Sequence, residues 1–116
     1  MIGIDIINID RIAKLISQSH FVASKIFCEQ EWQYYMYSGS RVETLAGMFC
    51  AKESFVKAMG CGFGDISMTD VCVCHTNLGQ PYIVASNKAR ELLCGKIPQL
   101  SISHSGSVAV AVCVLL

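Results

Sequence analysis

The chain has few charged residues and no excess charge of either sign. Only 16% of its 116 residues are charged, nine basic and nine acidic, so its formal net charge is zero. Without a net positive field the sequence does not favour nucleic-acid binding, and any acidic partner must be held by a local patch. The apolar fraction of 53% is high for so small a chain. This balance predicts a homo-oligomer in which part of the apolar surface closes against further copies.

Long apolar runs and targeting signals are also missing. No run approaches the roughly 18 apolar residues of a membrane span, and the amino end lacks a basic flank followed by a cleavage site of small residues. We therefore expect a cytoplasmic protein with no membrane insertion. There are no repeats, linkers or low-complexity stretches, and the length fits one domain covering residues 1–116. A domain of this size favours sharing a large ligand between subunits.

The seven cysteines include no C-x-x-C pair. Their odd number and irregular spacing favour buried thiols over a disulfide framework. Zinc binding at Cys72, Cys74 and His75 is the alternative, but in a strand the two cysteines share one face while the histidine points to the other. A zinc or thiol-redox module is therefore the least favoured class of function.

Hydrophobic periodicity predicts an α+β protein, with one long helix and smaller helices packed on a mostly antiparallel sheet. The predicted strands cover residues 2–7, 70–75, 82–84, 100–106 and 107–114. The first predicted helix begins after Asn8 or Asp10. Three further helices are predicted over residues 20–37, 41–59 and 87–95. The glycine-rich segment 60–64 follows the long helix, whereas phosphate-binding loops precede one, so this segment is typical of a helix end.

Two carboxylates occupy positions that otherwise look apolar. Asp5 interrupts the apolar first strand, both faces of which we expect to be covered, and Glu53 falls near the middle of the apolar stripe of the long helix. Two inward carboxylates with no evident arginine partner repel one another unless a cation or a proton lies between them. Oxygen ligands suit magnesium. The competing interpretation is an ordinary ion pair between Glu53 and Lys57, four residues apart on one helix.

Several segments occur in an order typical of one known family. They are residues 3–6 with Arg11 and Ile12, Phe27 with Glu31, residues 45–53, residues 57–62, residues 79–81 and residues 101–105. Across nearly the whole chain these segments resemble bacterial holo-acyl-carrier-protein synthase, a 4′-phosphopantetheinyl transferase. The amino-terminal aspartate, the Lys-Glu-x-x-x-Lys block and the late Ser-His strand are specific in combination.

The resemblance implies a fold, a reaction and an assembly. The fold would be that of the 4′-phosphopantetheinyl transferases, in a compact homotrimer with a site at each subunit boundary. The reaction would transfer the 4′-phosphopantetheine arm of coenzyme A to a serine of apo acyl carrier protein, releasing adenosine 3′,5′-bisphosphate, in fatty acid biosynthesis. It would depend on Mg²⁺, with Mn²⁺ as the alternative ion.

Matching positions imply a role for each site residue. Asp5 and Glu53 would hold magnesium against the pyrophosphate of coenzyme A, and either Glu53 or a metal-bound water would take the proton of the carrier serine. Lys57 would stabilise charge on the leaving group or protonate it. The positions that line the coenzyme A site are Lys52, Lys57, Gly60, Gly62, Gly64, Ser103 and His104.

The acidic acyl carrier protein would dock on the first helix. Arg11 matches a family position there, and Lys14 lies three residues further along the same face. Met48 departs from the family, which often has an arginine here that contacts the coenzyme A phosphates. This chain is also neutral where family proteins are often basic, which predicts weaker electrostatic recruitment of the carrier.

Two further functions stay open. One is a phosphopantetheinyl transferase that prefers the carrier domains of large synthases. The other is a non-catalytic oligomer that binds coenzyme A or a nucleotide and keeps its carboxylates for structure.

Overall fold

The structure, a computed structural model, describes all residues from 1 to 116. Its strands are β1 (Ile2–Asn8), β2 (Val71–His75), β3 (Pro81–Ala85), β4 (Pro98–Ser105) and β5 (Val108–Leu115). Its helices are α1 (Ile9–Gln18), α2 (His20–Ile26), α3 (Glu29–Tyr37), α4 (Val42–Met59) and α5 (Asn87–Leu93), with a short 3₁₀ helix at Met68–Asp70. The predicted α+β class is confirmed.

The strands form two antiparallel sheets. The larger has the order β1-β5-β4, so the amino-terminal strand pairs with the last strand of the chain, and β2 and β3 form a separate hairpin. Asp5 lies opposite Ala111 of β5, and Ala111 lies opposite Ile102 of β4. Strands β4 and β5 are joined by the predicted tight turn, in which Gly106 has a positive φ of 59°.

The 18-residue helix α4 lies against one face of the larger sheet. Two glycines permit this close approach. A Cβ at Gly3 would collide with the carbonyl oxygen of Ser54 and lie 2.5 Å from the backbone nitrogen of Ala58, and a Cβ at Gly47 would lie 2.8 Å from Ile102. The helix therefore rests nearly backbone to backbone on β1. None of the helices is both long and apolar enough to cross a membrane.

The opposite face of the larger sheet is uncovered, so the expectation that β1 is buried on both faces is wrong for a single chain. Ile2, Ile4 and Ile6 are 69%, 62% and 66% exposed. Burial in β1 alternates with the period of a strand, because helices pack on one side only. We call the uncovered surface the outer sheet face; it consists of Ile2, Ile4, Ile6, Ser101, Ser103, Val110, Val112 and Val114.

The stretch predicted as one helix near residues 20–37 is two helices. The chain is extended at Phe27 and Cys28, after which α3 begins. The backbone N–H of Cys28 donates to the carboxylate of Glu31 at 2.9 Å within a capping box. A capping box satisfies the free amides at the start of a new helix, which explains the break.

A disulfide joins Cys28 to Cys72, so the expectation of seven thiols is wrong. The bond ties the start of α3 to β2 across a sequence separation of 44 residues. The other five cysteines are free, and of these Cys50 and Cys113 are buried, as predicted, while Cys94 is exposed. Spacing did not indicate the bond, because its partners lie in elements that meet only in the folded chain.

Candidate active site

Asp5, Glu53 and Lys57 meet where β1 passes the second half of α4. The Nζ atom of Lys57 lies 3.1 Å from Oδ1 of Asp5 and donates to the carbonyl of Ile4, also at 3.1 Å. Lys57 thus pairs with Asp5, and the competing prediction of an ordinary pair with Glu53 is wrong. The side chain of Asp5 is 16% exposed and that of Lys57 53% exposed, so the pair lies at the edge of the core, within reach of a solute.

The two carboxylates interact electrostatically. Burial raises the pKa of Glu53, and the charge of Asp5 raises this pKa further, while Lys57 and Arg11 oppose the change. Neither carboxylate forms an ion pair with an arginine, although the charge of Arg11 acts on Glu53. The guanidinium carbon of Arg11 lies 5.8 Å from the ring centroid of Phe49, so this α1 side chain leans towards α4.

The donors in this cluster fit a hard divalent cation. Asp5 and Glu53 each offer carboxylate oxygens, the ligands that Mg²⁺ prefers. Cys50, one helical turn before Glu53, is close enough that the charge of Asp5 adds to the effect of burial in raising the pKa of Cys50 to about 12. Its Sγ donates to the carbonyl of Ala109 at 3.4 Å, so the thiol keeps its proton and offers no soft ligand. Cys50 was not predicted to lie at the site, although its i,i+3 spacing from Glu53 places the two residues on one side of the helix.

Lys52 lies elsewhere, and the expectation that it lines a coenzyme A site is wrong. Its side chain is fully buried, with Nζ 2.6 Å from Oε1 of Glu31. The ammonium also donates to the carbonyls of Met68 and Val71, each at 2.8 Å. The second oxygen of Glu31 accepts from the N–H of Val73 at 2.9 Å. Lys52 therefore joins α4 to α3 and β2.

Burial disfavours the charged forms of both Glu31 and Lys52. It raises the pKa of Glu31 against the opposing effects of Lys52 and of the two backbone donors, and it lowers the pKa of Lys52. The close contact and the backbone hydrogen bonds compensate both groups for the loss of water. The pair is structural.

A second concave surface lies at the amino-terminal half of α4, between α3, β2 and β4. It has a volume of about 270 Å³ and is lined by His104 together with Arg41 and Met48. Tyr34 and His75 stack in its wall, with ring centroids 3.7 Å apart and planes 3° apart. Arg41 thus brings a cation to the cavity that Met48 lines. Neither Arg41 nor the stacked pair was predicted, because the residues come from three separate elements.

The remaining predicted residues occupy separate places within one chain. Gly60 ends α4 in the predicted left-handed conformation, with φ of 74°, and Gly62 and Gly64 follow in an open loop. Ser103 lies on the outer sheet face, whereas His104, its neighbour, lines the cavity on the opposite face. These positions do not converge within a single copy.

Arg11 and Lys14 are exposed on α1, where they line an open groove of about 620 Å³. Lys14 also forms an ion pair with Asp10 at 3.2 Å. The groove therefore carries two cations, one of them partly neutralised.

The disfavoured zinc alternative at Cys72, Cys74 and His75 finds no matching cluster in the structure. The sulfur and oxygen atoms of Cys28, Glu31 and Cys72 lie within 4.8 Å of one another, and neither Cys74 nor His75 joins this group. Cys28 and Cys72 form a disulfide with each other, and Glu31 forms an ion pair with Lys52, so none of the three side chains is free to bind a metal ion.

Comparison with known proteins assigns the chain to an enzyme class. The model of a family described as the 4′-phosphopantetheinyl transferase superfamily matches residues 1–113. The chain belongs to this family. The holo-acyl-carrier-protein synthase of Fusobacterium nucleatum is 41% identical over 119 residues, covering 99% of this chain and 97% of that protein. The same enzyme of Alkaliphilus oremlandii is 40% identical over 113 residues, covering 95% and 93%.

Solved structures agree with this assignment. Holo-acyl-carrier-protein synthase of Helicobacter pylori in complex with coenzyme A has a TM-score of 0.90 and 28% identity, with all of both chains covered. The Bacillus anthracis enzyme in complex with CoA (3′,5′-ADP) has a TM-score of 0.81 and 38% identity, covering 98% of this chain and 93% of that one. The resemblance and the enzyme class predicted from the sequence are confirmed.

Proposed function

We propose that this protein transfers the 4′-phosphopantetheine group of coenzyme A to a serine of apo acyl carrier protein, in the cytoplasm and in the service of fatty acid biosynthesis. The observation that most supports this reaction is the cluster of Asp5, Glu53 and Lys57 at the solvent edge of the core, in a chain of this family. The named relatives are holo-acyl-carrier-protein synthases, and both of the solved structures named above are complexes, one with coenzyme A and one with CoA (3′,5′-ADP).

In this proposal the serine hydroxyl attacks the phosphorus that carries pantetheine. The bond from that phosphorus to the bridging oxygen breaks, and adenosine 3′,5′-bisphosphate leaves with the bridging oxygen. The hydroxyl proton passes to Glu53, directly or through a water molecule. Lys57 is half-exposed and carries its ammonium beside Asp5, where it stabilises negative charge on the pyrophosphate.

Asp5 and Glu53 are the residues that would hold Mg²⁺, or Mn²⁺ in its place. A divalent ion bound there would offset the charge that develops on the leaving phosphate. The coenzyme A site would include the loop at Gly60, Gly62 and Gly64, together with Ser103 and His104. The acyl carrier protein would dock on α1, at Arg11 and Lys14.

The proposed assembly is a trimer of the single domain formed by residues 1–116. The outer sheet face supports it, because a row of isoleucines more than 60% exposed gains from burial against another copy. Ser103 and His104 lie on opposite faces of β4, so one copy can present Ser103 to a site whose carboxylates come from its neighbour.

We expect Ile4→Lys to break the trimer into monomers, because a lysine in the middle of the outer sheet face introduces a charge that the assembly would bury. Light scattering coupled to gel filtration distinguishes one copy of 12.7 kDa from three. Leu78→Lys is the matched control, since Leu78 is 98% exposed in the loop before β3 and away from this face. A trimer that survives Ile4→Lys would contradict the proposed interface.

The direct test of the reaction is the intact mass of apo acyl carrier protein after incubation with the purified protein, coenzyme A and Mg²⁺. We expect a gain of one phosphopantetheine group that a chelator prevents and added Mg²⁺ restores. A gain that is insensitive to chelation would contradict the metal assignment. If the protein binds coenzyme A but the carrier gains no mass, transfer to this carrier is contradicted. The protein would then be a coenzyme A-binding protein or an enzyme that serves a different carrier.

A further inference from the structure

The disulfide between Cys28 and Cys72 spans the same junction as a pair of hydrogen bonds. The carboxylate of Glu31 accepts from the N–H of Cys28 and from the N–H of Val73, each at 2.9 Å. Because Val73 directly follows Cys72, the covalent bond and the carboxylate hold the start of α3 to β2 at the same place. If the disulfide breaks, only the second of these two links remains, the hydrogen bonds to the carboxylate of Glu31.

The two elements joined in this way form adjacent walls of the 270 Å³ cavity that Arg41 and His104 line. Tyr34 of α3 stacks on His75 of β2 with ring centroids 3.7 Å apart. His75 lies three residues after Cys72, and Tyr34 lies six residues after Cys28. Movement of α3 relative to β2 would separate the two rings and change the shape of the cavity.

We propose that Cys28 and Cys72 form a thiol-disulfide exchange site whose oxidation state sets how tightly this cavity binds coenzyme A; the ligand in this inference rests on the proposed function. The oxidised state holds α3 and β2 together and preorganises the stacked wall. The reduced state keeps the hydrogen bond from Val73 to Glu31 but lets α3 and β2 move more against each other. It binds coenzyme A more weakly, because part of the binding energy is then spent on ordering the wall.

The exchange reaction balances with a small dithiol as reductant. One dithiol thiolate attacks the sulfur of Cys28, which is partly exposed, whereas Cys72 is only 8% exposed. The disulfide breaks, Cys72 leaves as a thiolate and takes a proton, and the second dithiol thiolate then releases Cys28. The dithiol ends as a cyclic disulfide, having supplied two electrons and two protons to the two protein sulfurs. A small-molecule disulfide carries out the reverse reaction.

Two of the other cysteines are poorly suited to such exchange. Cys50 and Cys113 are fully buried, and burial is the main cause that raises the pKa of Cys50 to about 12 and of Cys113 to about 11. Since the thiolate is the reactive form, these two thiols stay inert at neutral pH. Cys94 is exposed and unbonded, so it serves as a matched control position.

The test compares the intact protein after treatment with a small-molecule disulfide and after treatment with a dithiol. Alkylation under denaturing conditions should label five cysteines in the oxidised protein and seven in the reduced one. Reduction should lower the Tm by roughly 10 °C, from the loss of a crosslink closing a long loop. It should also weaken coenzyme A binding several-fold in calorimetry and raise the KM for coenzyme A, with little change in kcat.

The variants Cys28→Ser and Cys72→Ser should each reproduce the reduced state and lose all response to the dithiol, while Cys94→Ser should respond as the parent does. Seven labelled cysteines after oxidation would overturn the inference. So would an oxidised protein whose Tm and coenzyme A affinity equal those of the reduced protein. A third result would separate the two proposals. If neither redox state transfers phosphopantetheine but the affinity for coenzyme A still depends on the redox state, the proposed reaction is contradicted and this inference is supported.

Discussion

Asp5→Asn is expected to slow transfer of phosphopantetheine by several orders of magnitude while leaving the fold in place. The asparagine keeps the shape of the side chain but removes one of the two carboxylate charges available to a cation. A divalent ion supplies several kcal/mol of transition-state stabilisation in such reactions, so we expect kcat to fall by roughly 10³-fold. The measurement is the rate at which apo acyl carrier protein gains mass at saturating coenzyme A.

Metal binding provides a second readout that does not depend on turnover. Mn²⁺ titrated into the protein and followed by electron paramagnetic resonance should bind the parent and bind Asp5→Asn much more weakly. Glu91→Gln is the matched control, because Glu91 is an exposed carboxylate on α5 that should change neither readout. Unchanged transfer by Asp5→Asn would remove Asp5 from the proposed metal site.

Lys52→Met should destabilise the protein severely without touching the candidate site. The substitution leaves the fully buried carboxylate of Glu31 without its ammonium partner. Breaking one side of a buried ion pair costs about 3–5 kcal/mol of folding free energy. Urea unfolding measures the loss, at one fixed protein concentration because an oligomer's stability depends on it.

The double variant Glu31→Gln with Lys52→Met distinguishes a structural ion pair from a catalytic lysine. No charge remains buried, and the glutamine carbonyl still accepts one of the two backbone hydrogen bonds, but the carbonyls of Met68 and Val71 lose their donor. We therefore expect part of the stability, and the transfer rate of the folded protein, to return. Lys88→Met is the control, since the Lys88–Glu91 pair on α5 is more than half exposed and should contribute less than about 1 kcal/mol. A stable double variant that remains inactive would return Lys52 to the active site.

Hydrophobic patterns in the sequence were sufficient to identify Asp5 and Glu53 as candidate site residues. A carboxylate in an apolar strand and another in an apolar helix were conspicuous, and both lie in the same cluster. The helical wheel was less informative about which residues of α4 are buried. Because α4 is enclosed by the sheet, α1, α3 and β2, nearly all of its residues from 45 to 58 are buried, and Glu53 is only partly so.

Long-range pairings were beyond the reach of periodicity. Lys52 and Glu31 are 21 residues apart, and Cys28 and Cys72 are 44 apart, so neither pairing leaves a local signal. The family resemblance matched Lys52 to a position that lines the coenzyme A site. Consecutive helical residues point about 100° apart, and here this rotation separates the core from the solvent edge.

The absent side chain at Gly3 has a consequence for the two carboxylates. Asp5 and Glu53 belong to elements that touch through the backbone of Gly3 and the carbonyl of Ser54. The distance between the carboxylates is therefore set by direct contact between two main chains, with no side-chain layer between them to rearrange. Any residue larger than glycine at position 3 would push β1 away from α4, and with it Asp5 away from the helix that carries Glu53.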